Sequence, residues 1–498
     1  MSSSATPANR VPEPSPLDPV LPEPPNGRLR WCRLLGSSRG LAIAAAAERH
    51  PGPLVVLARS IEAANQLEDE VRFYAAGGPV PVHVFPDWEC LPYDVFSPHQ
   101  GLTAQRLETL YKLPTLFRGI LLVAASTALY RLPPREYVLG QSFLLDAGDE
   151  IDIAELRQRL TQSGYRAVSQ VMEPGEYAVR GGLIDLFPVG AHRPFRIELF
   201  GNTVETIREF DPETQRSDKP LRKIQLLPAR EYPLTEDAIQ RFRQAFRARF
   251  EGDPQKVPVY RDVSKGLAPP GVEFYLPLFF DETASLFDYV PASAVCMVEE
   301  GVEQAAEGFL REVTTRYEQM CHDLERPLLR PQELFLTIEE FAERLAAWPR
   351  IDLLNLSPEH PSDEGLPVVD YATPAPAHLP LDYEAEVPHH ALFDYLRTHP
   401  GRTLLVAETA GRRETLRALL DEHGYRATDV VGWREFLRGG MPLALATGAG
   451  AESRQEIGWV IVGGMTFGTL LTLFVVPAAY TLLARDRSRA LEPTLKAA

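Results

Sequence analysis

The strongest constraint on the fold is an alternation of apolar strands and amphipathic helices in the first third of the chain. The apolar runs Pro53–Ala58 and Gly119–Ala124 have the length of buried strands, whereas Ile61–Ala75 carries apolar residues at helical spacing. The intervening elements are expected to be a helix over 41–50, a strand over 80–85 and a helix over 102–113. Strands that alternate with helices predict an α/β fold with a parallel sheet, as in nucleotide-binding proteins.

The remaining chain divides by changes in composition and periodicity. The expected parts are a disordered Pro-rich tail (1–27), an α/β unit in two pieces (28–140 and 226–355), a small β-rich domain inserted between them (141–225), a linker (356–390), a separate small α/β domain (391–445), and a transmembrane-like hydrophobic helix with its tail (446–498). This organisation predicts several domains, each long enough for its own core.

The net charge limits the function classes. The chain has 498 residues and a formal net charge of −17, which argues against a DNA-binding surface as its main feature, because phosphate contacts need clustered Lys and Arg. A local basic patch stays open as an alternative. The four cysteines are far apart and form no C-x-x-C pair, so they predict neither a zinc site nor a disulfide framework.

A glycine-containing segment at 34–42, L-L-G-S-S-R-G-L-A, stands where an ATPase would carry its phosphate loop. A working loop has the pattern G-x-x-x-x-G-K-[ST], in which Lys reaches the outer phosphates and the hydroxyl holds magnesium. Here the glycines are one residue too close, and Leu41 and Ala42 replace the two functional side chains. We therefore predict a degenerate loop with no catalytic residue, bound ATP or metal. Its residues are Gly36, Ser37, Ser38, Arg39, Gly40 and Leu41.

A β-hairpin is predicted in the β-rich part. Runs over 195–200 and 203–210 flank Gly201-Asn202, a dipeptide typical of tight hairpin turns. Side chains alternate between the two faces of a strand. The first run therefore divides into a core face (Phe195, Ile197, Leu199) and an opposite face (Arg196, Glu198, Phe200).

The opposite face allows two interpretations. An exposed aromatic beside an arginine has the composition of a binding hot spot. Arg180, just before the predicted strand Leu183–Phe187, is positioned to join it. Alternatively, Phe200 packs beneath a neighbouring helix and the arginines are merely solvated. Residue pattern alone leaves both open.

Three longer motifs carry a family resemblance. They are D-W-E-C-L-P-Y-D-V-F-S-P-H-Q (87–100), V-M-E-P-G-E-Y-A-V-R-G-G-L-I-D-L-F-P (171–188) and F-D-P-E-T-Q-R-S (210–217). Over roughly 28–440 the chain resembles the N-terminal region of bacterial transcription-repair coupling factors. That region is similar to the excinuclease protein UvrB without its ATPase motifs, so the resemblance implies a helicase-like α/β unit with an inserted β-rich domain.

The resemblance also implies a function. In the family the small β-rich domain binds the excinuclease protein UvrA through two arginines and a phenylalanine, which fall on Arg180, Arg196 and Phe200. This favours a partner site and a cytoplasmic, non-catalytic docking module in transcription-coupled nucleotide excision repair. The family's polymerase-binding and ATP-driven translocase domains are expected to be missing from this chain. Contacts with DNA, RNA polymerase, ATP and magnesium would be missing with them.

The end of the chain resembles a different family. Residues 457–484 run for 28 positions without a charge, enough to cross a bilayer and to favour membrane association. Residues 441–485 resemble the last transmembrane helix of resistance-nodulation-division efflux permeases. A fusion, a rearrangement or an assembly error would each produce such a join. The competing functional hypotheses are an ATP-dependent DNA translocase and a membrane transport fragment, which would need a working phosphate loop and several spans, respectively.

Overall fold

The computed structural model describes residues 14–22, 27–355, 366–385 and 387–447. The chain divides into two compact units, Met1–Ala377 and His378–Ala498. The fold is mixed α/β with several sheets. Within the described ranges, no helix has both the length and the apolarity to cross a membrane. The hydrophobic run predicted over 457–484 lies outside these ranges.

A seven-stranded parallel sheet forms the centre of the first unit. Its strands are β1 (Arg28–Cys32), β2 (Pro53–Ala58), β3 (Val82–Val84), β4 (Gly119–Ala124), β13 (Val295–Glu299), β14 (Arg350–Leu354) and β15 (Val368–Asp370), in the spatial order β15-β1-β14-β13-β2-β4-β3. Because side chains alternate, β2 sends Val55 and Leu57 into one core and Leu54 and Val56 into a second core on the other face. Burial on both faces explains why the central strands are continuous apolar runs.

Besides one helix in the β-rich part, the first unit contains eleven helices within the residues that the structure describes. They are α1 (Ser38–Arg49), α2 (Ile61–Ala75), α3 (Gln100–Lys112), α4 (Ala125–Ala128), α5 (Arg135–Gly140), α7 (Glu236–Arg249), α8 (Pro258–Ser264), α9 (Leu286–Tyr289), α10 (Val302–Met320), α11 (Pro331–Leu334) and α12 (Ile338–Ala346), with 3-10 turns at Leu113–Thr115, Pro254–Lys256 and Val272–Phe279. Ser60 caps α2 by accepting the N–H of Ala63 at 3.1 Å. The predicted bounds of β2, β4 and α2 are confirmed.

Between β4 and β13 the chain builds a second, mostly antiparallel sheet. The elements are β5 (Phe143–Asp146), α6 (Ile153–Gln162), β6 (Arg166–Ala167), β7 (Glu176–Arg180), β8 (Leu183–Phe187), β9 (Phe195–Phe200), β10 (Thr203–Phe210), β11 (Ser217–Leu221) and β12 (Lys223–Leu226). The sheet has the order β11-β10-β9-β8-β7-β6, and β12 pairs separately with β5. The predicted hairpin is confirmed, since β9 and β10 pair across a turn in which Gly201 has a φ of 63°.

The second unit has its own small parallel sheet. Its elements are α13 (His390–Thr398), β16 (Thr403–Ala407), α14 (Ala410–Glu422), β17 (Thr428–Asp429), α15 (Trp433–Arg438) and β18 (Leu443–Thr447), with the strands in the order β16-β18-β17. Leu420, Leu443 and Leu445 form its core. The strand predicted over Thr403–Ala407 is confirmed.

Two expectations about ordered structure are wrong in part. The prediction of disorder over 1–27 fails for 14–22, where the backbone of Val20 accepts from Trp31 Nε1 at 2.9 Å and donates to the Tyr371 hydroxyl at 3.1 Å. The predicted linker over 356–390 contains β15, an edge strand paired with β1. Neither segment has a repeating apolar pattern. The sequence therefore contains no sign of ordered structure there, since hydrogen bonds to distant residues hold each segment in place.

Candidate functional site

The predicted degenerate phosphate loop, 36–41, begins in the segment between β1 and α1 and continues into the first turn of α1, and a later part of the chain lies on it. Gly36 has a φ of 56°, and a Cβ atom built there would lie 2.6 Å from Pro376 Cγ. The Leu35 N–H donates to Thr373 Oγ1 at 2.8 Å, and Thr373 Oγ1 donates to the Arg33 carbonyl at 2.7 Å. The loop amide and the space beside Gly36 are therefore occupied by residues that follow β15.

The hydroxyls of the loop also have internal partners. Ser38 Oγ donates to the Leu35 carbonyl at 2.7 Å, and Ser37 Oγ lies 2.8 Å from the Tyr74 hydroxyl. Leu41 is partly buried and Ala42 is fully buried within α1, so the positions of the expected Lys and Ser or Thr belong to helix packing. Gly40 permits this packing, because a Cβ there would meet Glu70 Cβ at 2.6 Å.

A cleft of about 250 Å³ opens beside the loop, and its charged lining residues are Arg39, Arg59, Glu70 and Glu299. Arg39 donates through Nη1 to Glu299 Oε1 at 2.5 Å, and the other oxygen of Glu299 accepts the Arg59 N–H at 3.0 Å. Burial raises the pKa of Glu70 on the opposite wall. The one cation in the loop thus already has a carboxylate partner, in place of the free Lys that a triphosphate requires.

The second predicted region comprises Arg180, Arg196 and Phe200. They lie on the face of the β-rich sheet opposite to that of Ile197, which is its outer face. Phe200 ends β9 with 79% of its surface exposed, so the alternative in which it packs beneath a helix is wrong. On the inner face, Ile197 is buried, and Phe195 and Leu199 are partly buried against the main core, which is the one that contains Val55 and Leu57 of β2. The alternation predicted for β9 is therefore confirmed.

The two candidate arginines are held by a residue that the sequence motifs did not single out. Asp185, on β8, accepts from Arg196 Nε at 2.7 Å and Nη2 at 3.0 Å, and from Arg180 Nη2 at 2.7 Å. Its side chain is 1% exposed. The signal was visible in the sequence as an acidic residue inside the apolar strand L-I-D-L-F, since a buried carboxylate needs a charged or hydrogen-bonding partner.

The two arginines differ in how firmly they are held. Arg196 also donates to the Gln215 carbonyl at 3.0 Å and to Gln215 Oε1 at 3.2 Å, and its guanidinium lies 4.6 Å from the centre of the Phe210 ring. Its hydrogen bond to Asp185 raises the pKa of Arg196. The Arg196 side chain is 16% exposed, whereas that of Arg180 is 54% exposed. Arg180 is therefore the more accessible cation.

A buried ion pair, also absent from the sequence predictions, joins α3 to the segment that follows β12. Arg106 on α3 donates through Nε to Glu231 Oε1 at 2.5 Å, and both side chains are almost fully buried. The Arg106 guanidinium lies 4.3 Å from the centre of the Phe85 ring, and Trp88 Nε1 donates to Glu231 at 3.2 Å. This network fixes the chain where it leaves the β-rich sheet.

Comparisons with known proteins match two parts of the chain to families of known domains. Residues 143–232 match the UvrB interaction domain, and residues 395–452 match the family described as MFD, D3 domain. The chain is similar to transcription-repair-coupling factors. The relative from Escherichia coli strain K12 is 39% identical over 397 residues, which cover 78% of this chain and 34% of that protein. The relative from Haemophilus influenzae is 37% identical over 405 residues, covering 81% and 35%.

A more distant coupling factor, from Myxococcus xanthus, is 31% identical over 340 residues, covering 64% of this chain and 28% of the relative. The chain spans about a third of the length of the curated relatives it matches. Residues 435–484 match another family, described as AcrB/AcrD/AcrF, and this match overlaps that of the D3 domain over 435–452. Arg180, Asp185, Arg196 and Phe200 all lie within the UvrB interaction domain match.

Proposed function

We propose that this chain is a docking module that recruits the excinuclease protein UvrA in transcription-coupled nucleotide excision repair. The observation that carries the proposal is the outer face of the β-rich sheet, where Phe200 is exposed on the same face as two arginines that pair with Asp185. This face lies within the match to the UvrB interaction domain. An exposed aromatic and an arginine fixed on a rigid sheet are typical of interface anchors, because little conformational entropy is lost when they bind.

The proposed binding residues are Arg180, Arg196 and Phe200, on the architecture of a helicase-like α/β unit with an inserted β-rich domain. The β-rich sheet between β4 and β13 supports this architecture. We propose that the module acts in the cytoplasm and that contacts with DNA and RNA polymerase belong to other domains of the full-length family.

We further propose that the module hydrolyses no nucleotide and needs no cofactor. Three features support this. Leu41 and Ala42 replace the two functional side chains, Thr373 and Pro376 occupy the loop, and Arg39 is paired with Glu299. An ATPase without a free Lys at the outer phosphates lacks its main means of stabilising developing charge.

The tail requires a separate proposal. We propose that the sequence passes near 435–452 into a segment related to the last transmembrane helix of efflux permeases, because the two family matches overlap there. The uncharged run over 457–484 then favours membrane association of the whole chain. Sequencing of the locus across codons 435–455 tests the join, since reads that fail to span it would show an artefact.

The docking function is tested by binding of the full chain to UvrA in mild detergent. We expect Phe200→Ala and Arg180→Ala each to weaken binding by about 2 kcal/mol, roughly thirtyfold in Kd, because truncation of an interface anchor has this size of effect. Phe117→Ala and Arg157→Ala are matched controls, since both residues are exposed at other places in the chain. Unchanged affinity in both face variants would refute the site.

A further inference from the structure

A third arginine occupies the outer face of the β-rich sheet. Arg208 on β10 lies directly opposite Arg196 on β9, and Arg196 lies opposite Asp185 on β8. Residues directly opposite on paired strands point to the same face, and neighbouring strands are about 4.8 Å apart. Arg208 therefore stands on the same face as the two proposed binding arginines, one strand further from Asp185.

Arg208 lacks the counter-ion that its neighbours share. The Nε atom of Arg208 is buried without a hydrogen-bond partner, and no carboxylate in the described part of the chain pairs with its guanidinium. Asp185 is already occupied by Arg180 and Arg196. Another acidic residue of this face, Glu198, accepts from Thr206 Oγ1 at 2.8 Å.

Arg196 has little donor capacity left for a new anion, because four of its five N–H groups are already used. Four hydrogen bonds join its guanidinium to Asp185 or Gln215. Arg180 makes one hydrogen bond, to Asp185. The donors that remain for a partner on this face therefore belong mainly to Arg180 and Arg208, whereas Arg196, which is also a proposed binding residue, has one N–H group left.

We propose that Arg208 is a further partner-binding residue, and that its counter-ion is an acidic side chain contributed by the bound protein. This inference rests on the proposed function, in which the outer face binds UvrA. Arg208 is partly exposed, and no carboxylate in the described part of the chain forms an ion pair with it, so its outer guanidinium nitrogens are the groups that would donate to the partner's acidic side chain. Such a charge pair contributes to orientation and specificity at an interface.

The inference is tested with Arg208→Ala and Arg208→Gln in the full chain, by titration with UvrA at low and high salt. We expect about tenfold weaker binding at low salt and a smaller dependence of Kd on salt, because one charge pair is lost. Arg208→Lys should keep most of the salt dependence. Arg157→Ala, on the exposed side of α6, is the matched loss of one positive charge.

A structural role is separated by thermal unfolding. Arg208→Gln keeps the stem and removes the unpaired guanidinium, so its unfolding midpoint should be no lower than that of the wild type. If Arg180→Ala and Phe200→Ala weaken binding but Arg208→Ala and Arg208→Gln do not, this inference is wrong and the docking function stands. If none of the four weakens binding, both are wrong.

Discussion

The degenerate phosphate loop and the outer face of the β-rich sheet use similar parts but end in opposite states. Each contains an arginine–carboxylate pair, Arg39 with Glu299 and Arg196 with Asp185, and each region has a glycine with positive φ, Gly36 in the loop and Gly201 in the hairpin turn. At the loop a distant segment of the same chain covers the glycine and satisfies a backbone donor. On the face, Phe200 remains exposed and Arg208 lacks a carboxylate in the described chain.

If the outer face binds a partner as proposed, the difference shows how a binding region is distinguished from a site that no longer functions. A lost site is closed by its own protein, because unsatisfied donors and open space are unfavourable and later packing removes them. A site that binds another protein keeps an exposed anchor on a rigid support. Residue types alone do not separate the two cases, since arginine, glycine and carboxylate occur in both.

The largest expected effect is the loss of stability when Asp185, the buried partner of the two arginines on the outer face, is replaced. Asp185→Ala should lower the free energy of unfolding by about 3–5 kcal/mol, because it leaves Arg196 without its buried partner. Denaturant unfolding of the full chain, followed by a signal from the β-rich sheet, measures this. Asp185→Asn keeps the shape as the matched variant. A loss below about 1 kcal/mol in both variants would show that the ion pairs contribute little.

A smaller effect is expected for the two phenylalanines of β9, which lie on opposite faces. Phe195→Ala should lose about 2 kcal/mol of stability, less than a fully buried ring, because Phe195 is only partly buried against the main core. Phe200→Ala should change stability by less than about 0.5 kcal/mol. Thermal unfolding of the two variants side by side measures the contrast. Equal losses would mean that both rings belong to the core.

The smallest effect concerns the closed loop. Thr373→Ala removes an acceptor from the Leu35 N–H and should lower the free energy of unfolding by about 1 kcal/mol, whereas Thr373→Ser keeps the hydroxyl.

Opening the loop should still produce no ATP turnover, with or without DNA, because no Lys stands at position 41. Turnover in Thr373→Ala alone would show that the covering segment inhibits a competent site.

The predictable features are those that depend on residue spacing within a short stretch of the chain. The strand–helix alternation, the Gly201-Asn202 turn and the separation of Phe195 from Phe200 follow from spacing within a few residues. The partners of the arginines were not predictable in this way. Alternation places Arg196 on a face but does not show whether a carboxylate from the neighbouring strand stands opposite it.

By itself the amino-acid sequence determined the α/β class, the hairpin, and the loss of Lys and hydroxyl from the loop, because these depend on local periodicity and residue chemistry. Only the tertiary structure decided which site is closed. The hydrogen bond between Leu35 and Thr373 joins residues 338 positions apart, and Asp185 reaches its arginines across strands. The physical reason is that burial and hydrogen bonding of polar groups depend on which distant segments meet, and a local pattern holds no record of that.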